Sequence, residues 1–321
     1  MMVDFPSAGK INTDFFSEII YPLCGARNDR VLAGPEFGVD VSVVQLPAGY
    51  AMALTTDPLS LVPTLGLRES AWLSVNLMAS DITTTGCPPM YALFNLNLPP
   101  DLSTEDFHRY WKHISEFCEE IGTTIIGGHT GRFEGQNATV IGGGTMVTVA
   151  LQENILTSKG GRPGDSVIVT RECAIASTSI LALSFPETIE NACGREILLK
   201  GQDLFYKSSS VSTALTAVKT NKEMNGVTAM HDVTECGVCG ALLWSLLSHL
   251  IAELPSTKKK SLLAKSSLPY VRNLALILFC VSVPDPLFFP LSLRNPKLSF
   301  NPCRMTGMYR VLRICRIGKR N

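Results

Sequence analysis

Three aspartates stand where chemistry is expected: Asp40 in GPEFGVDVSVV, Asp57 in ALTTDPLS and Asp81 in NLMASDITTTGCPP. Each lies at or just after the end of a stretch patterned as an apolar strand or helix. Carboxylates held at element ends can converge on one point while the backbone behind them stays rigid. Such a site suits magnesium, which takes hard oxygen ligands, often one or two carboxylates together with substrate phosphates. Taken singly, each aspartate is more simply a helix cap or the start of a turn. The run Gly127-Gly128-His129-Thr130-Gly131 is compatible with close approach of backbone to phosphate.

The elements that must position these residues follow from apolar periodicity. Asn12 to Leu23 has Phe15, Ile19, Ile20 and Leu23 at helical spacing, which predicts a helix with one buried face. Val41 to Leu46 and Ala51 to Thr55 read as strands around the turn Pro47-Ala48-Gly49, Glu69 to Ser80 as a helix, and Tyr91 to Leu98 as a strand. Thr104 to Ile121 is the clearest helix, capped by Ser103, with Phe107, Trp111, Ile114, Cys118 and Ile121 along one face. Thr123 to Ile126 reads as a short buried strand and Ala138 to Leu151 as another. After KGGRPGD come a strand at Ser166 to Thr170, helices around Thr178 to Leu183 and Glu196 to Val218, and a strand at Val227 to Met230 leading into HDVTECG. Alternating strands and helices imply an α/β or α+β layer architecture. The break at Lys159 to Pro163 divides the chain into domains 1–158 and 159–321.

Composition narrows the partner. Lys plus Arg equals Asp plus Glu at 28 each, so no global field favours nucleic acid or an anionic membrane. The most apolar late run, Leu274 to Val283, falls short of the roughly 20 residues that span a bilayer and reads as a buried strand or helix instead. The N-terminus has no basic start followed by an apolar stretch, so the expected location is cytoplasmic and the ten cysteines are expected as thiols. Only Cys236 and Cys239 have C-x-x-C spacing, and no second pair of ligands accompanies them.

In order and spacing these segments resemble the AIR synthase-related (PurM-like) superfamily, whose members include aminoimidazole ribonucleotide synthase, thiamine-monophosphate kinase, selenophosphate synthetase and the hydrogenase-maturation protein HypE. GVDVSVV is similar to that family's G-[DE]-D-A-A-V segment, TTDP to its T-T-D, ASDITTTGCPP to its N-D-[IL]-x-x-x-G-A-x-P, and IIGGHTGR to its G-G-[DE]-T strand end. KGGRPGDSVIVT resembles the opening of its second domain, and AMHDVTECGVCGAL its D-x-T-x-G-G-[LV] motif. The overall pattern looks closest to HypE and the AIR synthase-related proteins grouped with it. The resemblance implies a two-domain fold, with an N-terminal sheet domain that pairs in a homodimer and a C-terminal α/β sandwich. It implies ATP in the groove between domains, with Mg2+ on its phosphates. Asp40, Asp57 and Asp81 would be metal and phosphate ligands, Thr56, Gly127, Gly128, His129 and Thr130 would line the nucleotide, and Lys10 would reach the polyphosphate. Asp232 and Thr234 would border the substrate side.

The implied activity is phosphorylation of a carboxamide, carboxylate or phosphate oxygen, with hydrogenase maturation as one setting. The alternatives are an ATP-binding assembly partner with reduced catalysis, and a small-molecule kinase of the thiamine-phosphate type. Some positions depart from the pattern. His129 replaces an acidic residue, Val39 and Val41 flank Asp40 where a second acid is usual, and Glu172, Ala174, Ser177 and Cys236 replace glycines. Beyond Leu243 no family pattern continues, acidic residues nearly vanish, and a shifted reading frame or a divergent domain accounts for the change. Cys315 is followed by six residues, so its likeness to the terminal cysteine of HypE is taken as accidental.

Overall fold

The computed structural model describes residues 11, 13–36, 38–134, 140–161, 165–171, 174–219, 226–234, 237–241, 276–281 and 309–313. Lys10, Glu172, Cys236 and Cys315 lie outside them, as do most of the residues after position 241. The architecture is mixed α/β, built on two sheets.

The first sheet orders its strands β1-β2-β3-β6-β4-β5, with β1 at Val31–Ala33, β2 at Ser42–Gln45, β3 at Tyr50–Ser60, β4 at Tyr91–Leu98, β5 at Thr124–Arg132 and β6 at Val140–Leu151. Only β4 and β5 run parallel, and the 17-residue helix α3 (Thr104–Glu120) makes the crossover that parallel strands require. Ser103 caps α3 as its position predicts, its hydroxyl accepting from the Asp106 N–H at 3.0 Å. A second sheet orders β10-β7-β9-β8 (Tyr309–Arg313, Ser166–Thr170, Leu276–Val281, Val227–Val233), antiparallel throughout. The apolar run expected to be a strand or a buried helix thus supplies β9, between β7 and β8.

Between the sheets lies α2 (Leu67–Thr83), buried on nearly every side from Ser70 onward. Its small hydroxyl residues make this possible, because Ser74 and Thr83 return their hydrogen bonds to carbonyls one turn back. Trp72 stacks on Phe205 at 4.9 Å between ring centres, tying α2 to the segment that precedes α7 (Val211–Lys219). On the sheet side the helix comes close because position 144 is glycine. A Cβ there would stand 2.5 Å from the Met78 side chain. Met78 and Asp81 are three residues apart, so both point to the same side of α2.

The structure departs from the sequence expectations in several places. Thr13–Leu23 is helical, as α1 (Thr13–Phe15) followed by π and 3-10 turns, but Ile19, Ile20 and Leu23 are exposed instead of forming a buried face. The helical stretch expected over Glu196 to Val218 is broken into α6 (Arg195–Asp203), a 3-10 turn at Tyr206–Ser208 and α7. The serines at 208–210 favour such a break, and Ser208 Oγ donates to the Phe205 carbonyl at 2.6 Å. Three further helices, α4 (Ile175–Ser184), α5 (Pro186–Cys193) and α8 (Gly237–Ala241), lie among the described residues. The glycine run at 127–131 is no turn: it belongs to β5, which is longer than expected and, as an edge strand, largely exposed.

Gly128 has φ +147°, and a Cβ on it would fall 1.9 Å from the Phe94 carbonyl oxygen. The register with β4 slips just before it, with Ile126 as the extra residue. The sheet itself therefore demands this glycine. At Gly127 a Cβ would meet nothing nearer than Leu93 at 3.7 Å. Gly128→Ala should accordingly cost about 3 kcal/mol or more, and Gly127→Ala within about 1 kcal/mol, in urea unfolding. Equal losses would show that the bulge is not what requires glycine.

Candidate functional site

The site begins where β2 ends its pairing with β3. The pairing runs from Gln45↔Ala51 to Ser42↔Leu54 and stops, so the next residues of β3 are not covered by β2 on that side. Continuing the register by two places sets Asp40 opposite Thr56. β3 itself runs on through Asp57 and Pro58, paired with Gly144 and Gly143 of β6, so Asp57 lies inside the strand and not at its end. Proline is tolerated because this stretch of β3 has lost its β2 neighbour.

Strand alternation then sorts the side chains. Ala51, Ala53, Thr55 and Leu59 are buried and Asp57 is half-buried on the face toward α2, whereas Thr56 is exposed on the opposite face. Thr55 Oγ1 donates to Asp81 Oδ2 at 2.7 Å, and Thr56 Oγ1 lies 2.9 Å from Thr145 Oγ1. The threonine beside the aspartates is therefore Thr55, not the expected Thr56. The motif TTDP contains both, and only the face assignment separates them.

Asp81 occupies the last turn of α2, the negative end of the helix dipole, which is the wrong end for an anion. Its carboxyl is pushed well above the ordinary range, first by burial and then by the charges of Asp232, Asp57 and Asp40, with the Thr55 hydrogen bond opposing. The three aspartates picked out from sequence and the substrate-side Asp232 thus share one electrostatic neighbourhood.

Asp232 and His231 come from β8, the edge strand of the second sheet. His231 Nδ1 lies 2.6 Å from Asp40 Oδ2, and both side chains are about nine-tenths buried. One ligand atom from each of Asp40, His231 and Asp232 falls within 4.8 Å of the others. His231 was not among the residues singled out from the sequence, because the motif resemblance there drew attention to Asp232 and Thr234. Asp165 helps to hold β8 in place: buried at 4% exposure, it accepts from Thr228 Oγ1 at 2.6 Å.

The residues expected to line the nucleotide lie further along the sheet. In the register of the first sheet, His129 is opposite Asn95, Asn95 opposite Gly143, and Gly143 opposite Pro58. Three strand spacings amount to about 14 Å, so His129, Thr130 and the two glycines do not join Asp57 around one ion. Thr234 follows β8 and is half-buried, and Lys10 lies outside the described residues.

For a divalent cation the donor set fits: carboxylates from β3, β8 and the approach to β2 all act on Asp81 of α2 and disfavour its charged form. The fold that brings them together is that of the PurM-like α/β proteins. More narrowly, residues 38–150 match the family model of AIR synthase related protein, N-terminal domain. This stretch carries Asp40, Asp57 and Asp81. Selenide, water dikinase of Methanococcus maripaludis is 29% identical over 227 residues, covering 67% of this chain and 64% of the relative, so the chain spans somewhat less than two thirds of that protein. Two solved structures share the fold. Thiamine monophosphate kinase from Aquifex aeolicus has a TM-score of 0.53 at 20% identity, covering 85% of this chain and 88% of its own. Hydrogenase maturation protein HypE in complex with ATP has a TM-score of 0.52 at 16% identity, covering 86% and 79%.

The crowding has a consequence for stability. Because the fold disfavours the charged form of Asp81, Asp81→Asn keeps the Thr55 hydrogen bond and removes the repulsion. In a chelator at neutral pH it should melt roughly 2–6 °C above the parent chain. A lower melting temperature would mean that the carboxylates are not in conflict.

Proposed function

We propose that this chain binds ATP with Mg2+ and uses it to phosphorylate an oxygen of a small or protein-borne substrate. The observation that carries this reading is the convergence of Asp40, Asp57, Asp81 and Asp232 from four separate segments. It is supported by the AIR synthase related domain and by relatives and fold neighbours named as a dikinase, a kinase and an ATP-bound maturation protein.

Asp40, Asp57 and Asp81 would hold the cation, and Asp232 would border it from the acceptor side. A bound Mg2+ would supply positive charge against the polyphosphate. The residues of the chain do the rest. The carboxylates fix where the phosphates can lie, Thr55 orients Asp81, and α2 and the rigid strand β3 keep that geometry from relaxing. On this reading ATP would lie in a groove between domains 1–158 and 159–321, and pairing of the first domain in a homodimer belongs to the same reading. A HypE-type acceptor such as a carboxamide, in hydrogenase maturation, is one form of this function. The dikinase relative favours a second form, direct transfer to a small acceptor as in a kinase. An assembly partner that binds ATP without turnover is the remaining form.

Calorimetric titration of ATP in Mg2+ tests the shared premise. The parent chain should bind, and Asp57→Asn should weaken binding about tenfold to a hundredfold, in line with removing an anionic ligand. Absence of Mg2+-dependent nucleotide binding in the parent would end this reading. ADP release, with amide, phosphate or selenide acceptors supplied, then separates transfer from binding alone.

A further inference from the structure

One donor in the cluster has no place in a magnesium site of the kind proposed above. His231 is 9% exposed, and its Nδ1 approaches a carboxylate oxygen that the nucleotide reading assigns to the metal. Magnesium seldom takes nitrogen ligands. Imidazole suits the divalent first-row transition ions, and carboxylates accept both kinds.

We propose that Asp40, His231 and Asp232 form a mixed imidazole–carboxylate cation site, in which His231 selects a transition ion such as Mn2+ over Mg2+. The site brings the free edge of β8 against the approach to β2, two segments 191 residues apart. Its donor atoms lie within 4.8 Å of one another. Two ligands on one ion, with bonds of about 2.1 Å, stand about 3.0–4.2 Å apart, so side-chain rotations that move a donor by about an ångström close the set. The short contact between His231 and Asp40 is then the arrangement in which a proton bridges the two donors. Cation binding would release that proton and leave both donors directed at the ion.

A plainer role is conceivable for the same histidine: a hydrogen bond that orients Asp40 without touching an ion. The two roles differ in what surrounds a bound ion, so they can be told apart without any measurement of activity. The inference concerns the same cluster as the nucleotide reading, but cation binding can be followed with no nucleotide present, so each can fail alone.

The probe is Mn2+ added to the full chain, followed by electron paramagnetic resonance. Titration should show one tightly held Mn2+ per chain, displaced only by about tenfold or more excess of Mg2+. Pulsed measurement should show a directly coordinated nitrogen-14 coupled to the bound ion. His231→Gln should lose that coupling and weaken Mn2+ by about tenfold or more, while Mg2+ affinity stays within about threefold. Asp232→Asn should weaken both ions. Mn2+ bound by the parent chain without nitrogen coupling, or with no preference over Mg2+, would overturn the proposal, whatever becomes of the variants.

Discussion

Burying carboxylates beside one another is the constraint on which the rest of this molecule turns. Asp81 sits at the negative end of a buried helix, with the charges of Asp232, Asp57 and Asp40 acting on it. Left to solvent, such groups would separate. Here they are held by elements that have no freedom to part: β3 is paired along its length with β6, and α2 is packed between two sheets. The stability of the core is set against local repulsion, a conflict that active sites commonly retain because a ligand resolves it.

Close approach at particular backbone positions keeps that conflict in place. Glycine at 144 lets Met78 press into the sheet, and the same face of α2, one turn later, delivers Asp81 to Thr55. The early end of β2 uncovers β3 just where Thr55 to Asp57 must be reached. On the far side, the edge of β8 carries Asp232 and His231, with Asp165 and Thr228 fastening the strand behind them. None of these devices is chemical in itself. Each fixes a distance.

Much of the frame was legible from sequence because periodicity reports burial directly. The strand Tyr91–Leu98 and the helix begun by Ser103 fall where their patterns place them. The aspartates were legible through their order and spacing in a resemblance, and the structure brings them together. Three features were not. Thr55 and Thr56 are chemically identical, and only knowing which face of β3 meets α2 distinguishes them. His231 gave no signal of its own, because the carboxylate it meets is 191 residues away in the chain. The glycines at 127 and 128 looked like one motif, yet one is required by a bulge against β4 and the other has room for a side chain. Local composition cannot register that difference, since it depends on a strand some thirty residues away.

Distance along the sheet bears on the acidic residue that His129 replaces. Three strand spacings separate it from Asp57, so an acid at 129 would not have shared an ion with Asp57 in a single chain either. Its replacement therefore leaves the carboxylates of Asp40, Asp57, Asp81 and Asp232 in place. Among the described residues the strand that bears His129 is an exposed edge with no partner strand on one side, a surface that natural sheets seldom leave open without covering or charging it. What happens at position 129 thus belongs to that edge and whatever meets it. The chemistry of the cluster is decided between β3, α2 and β8.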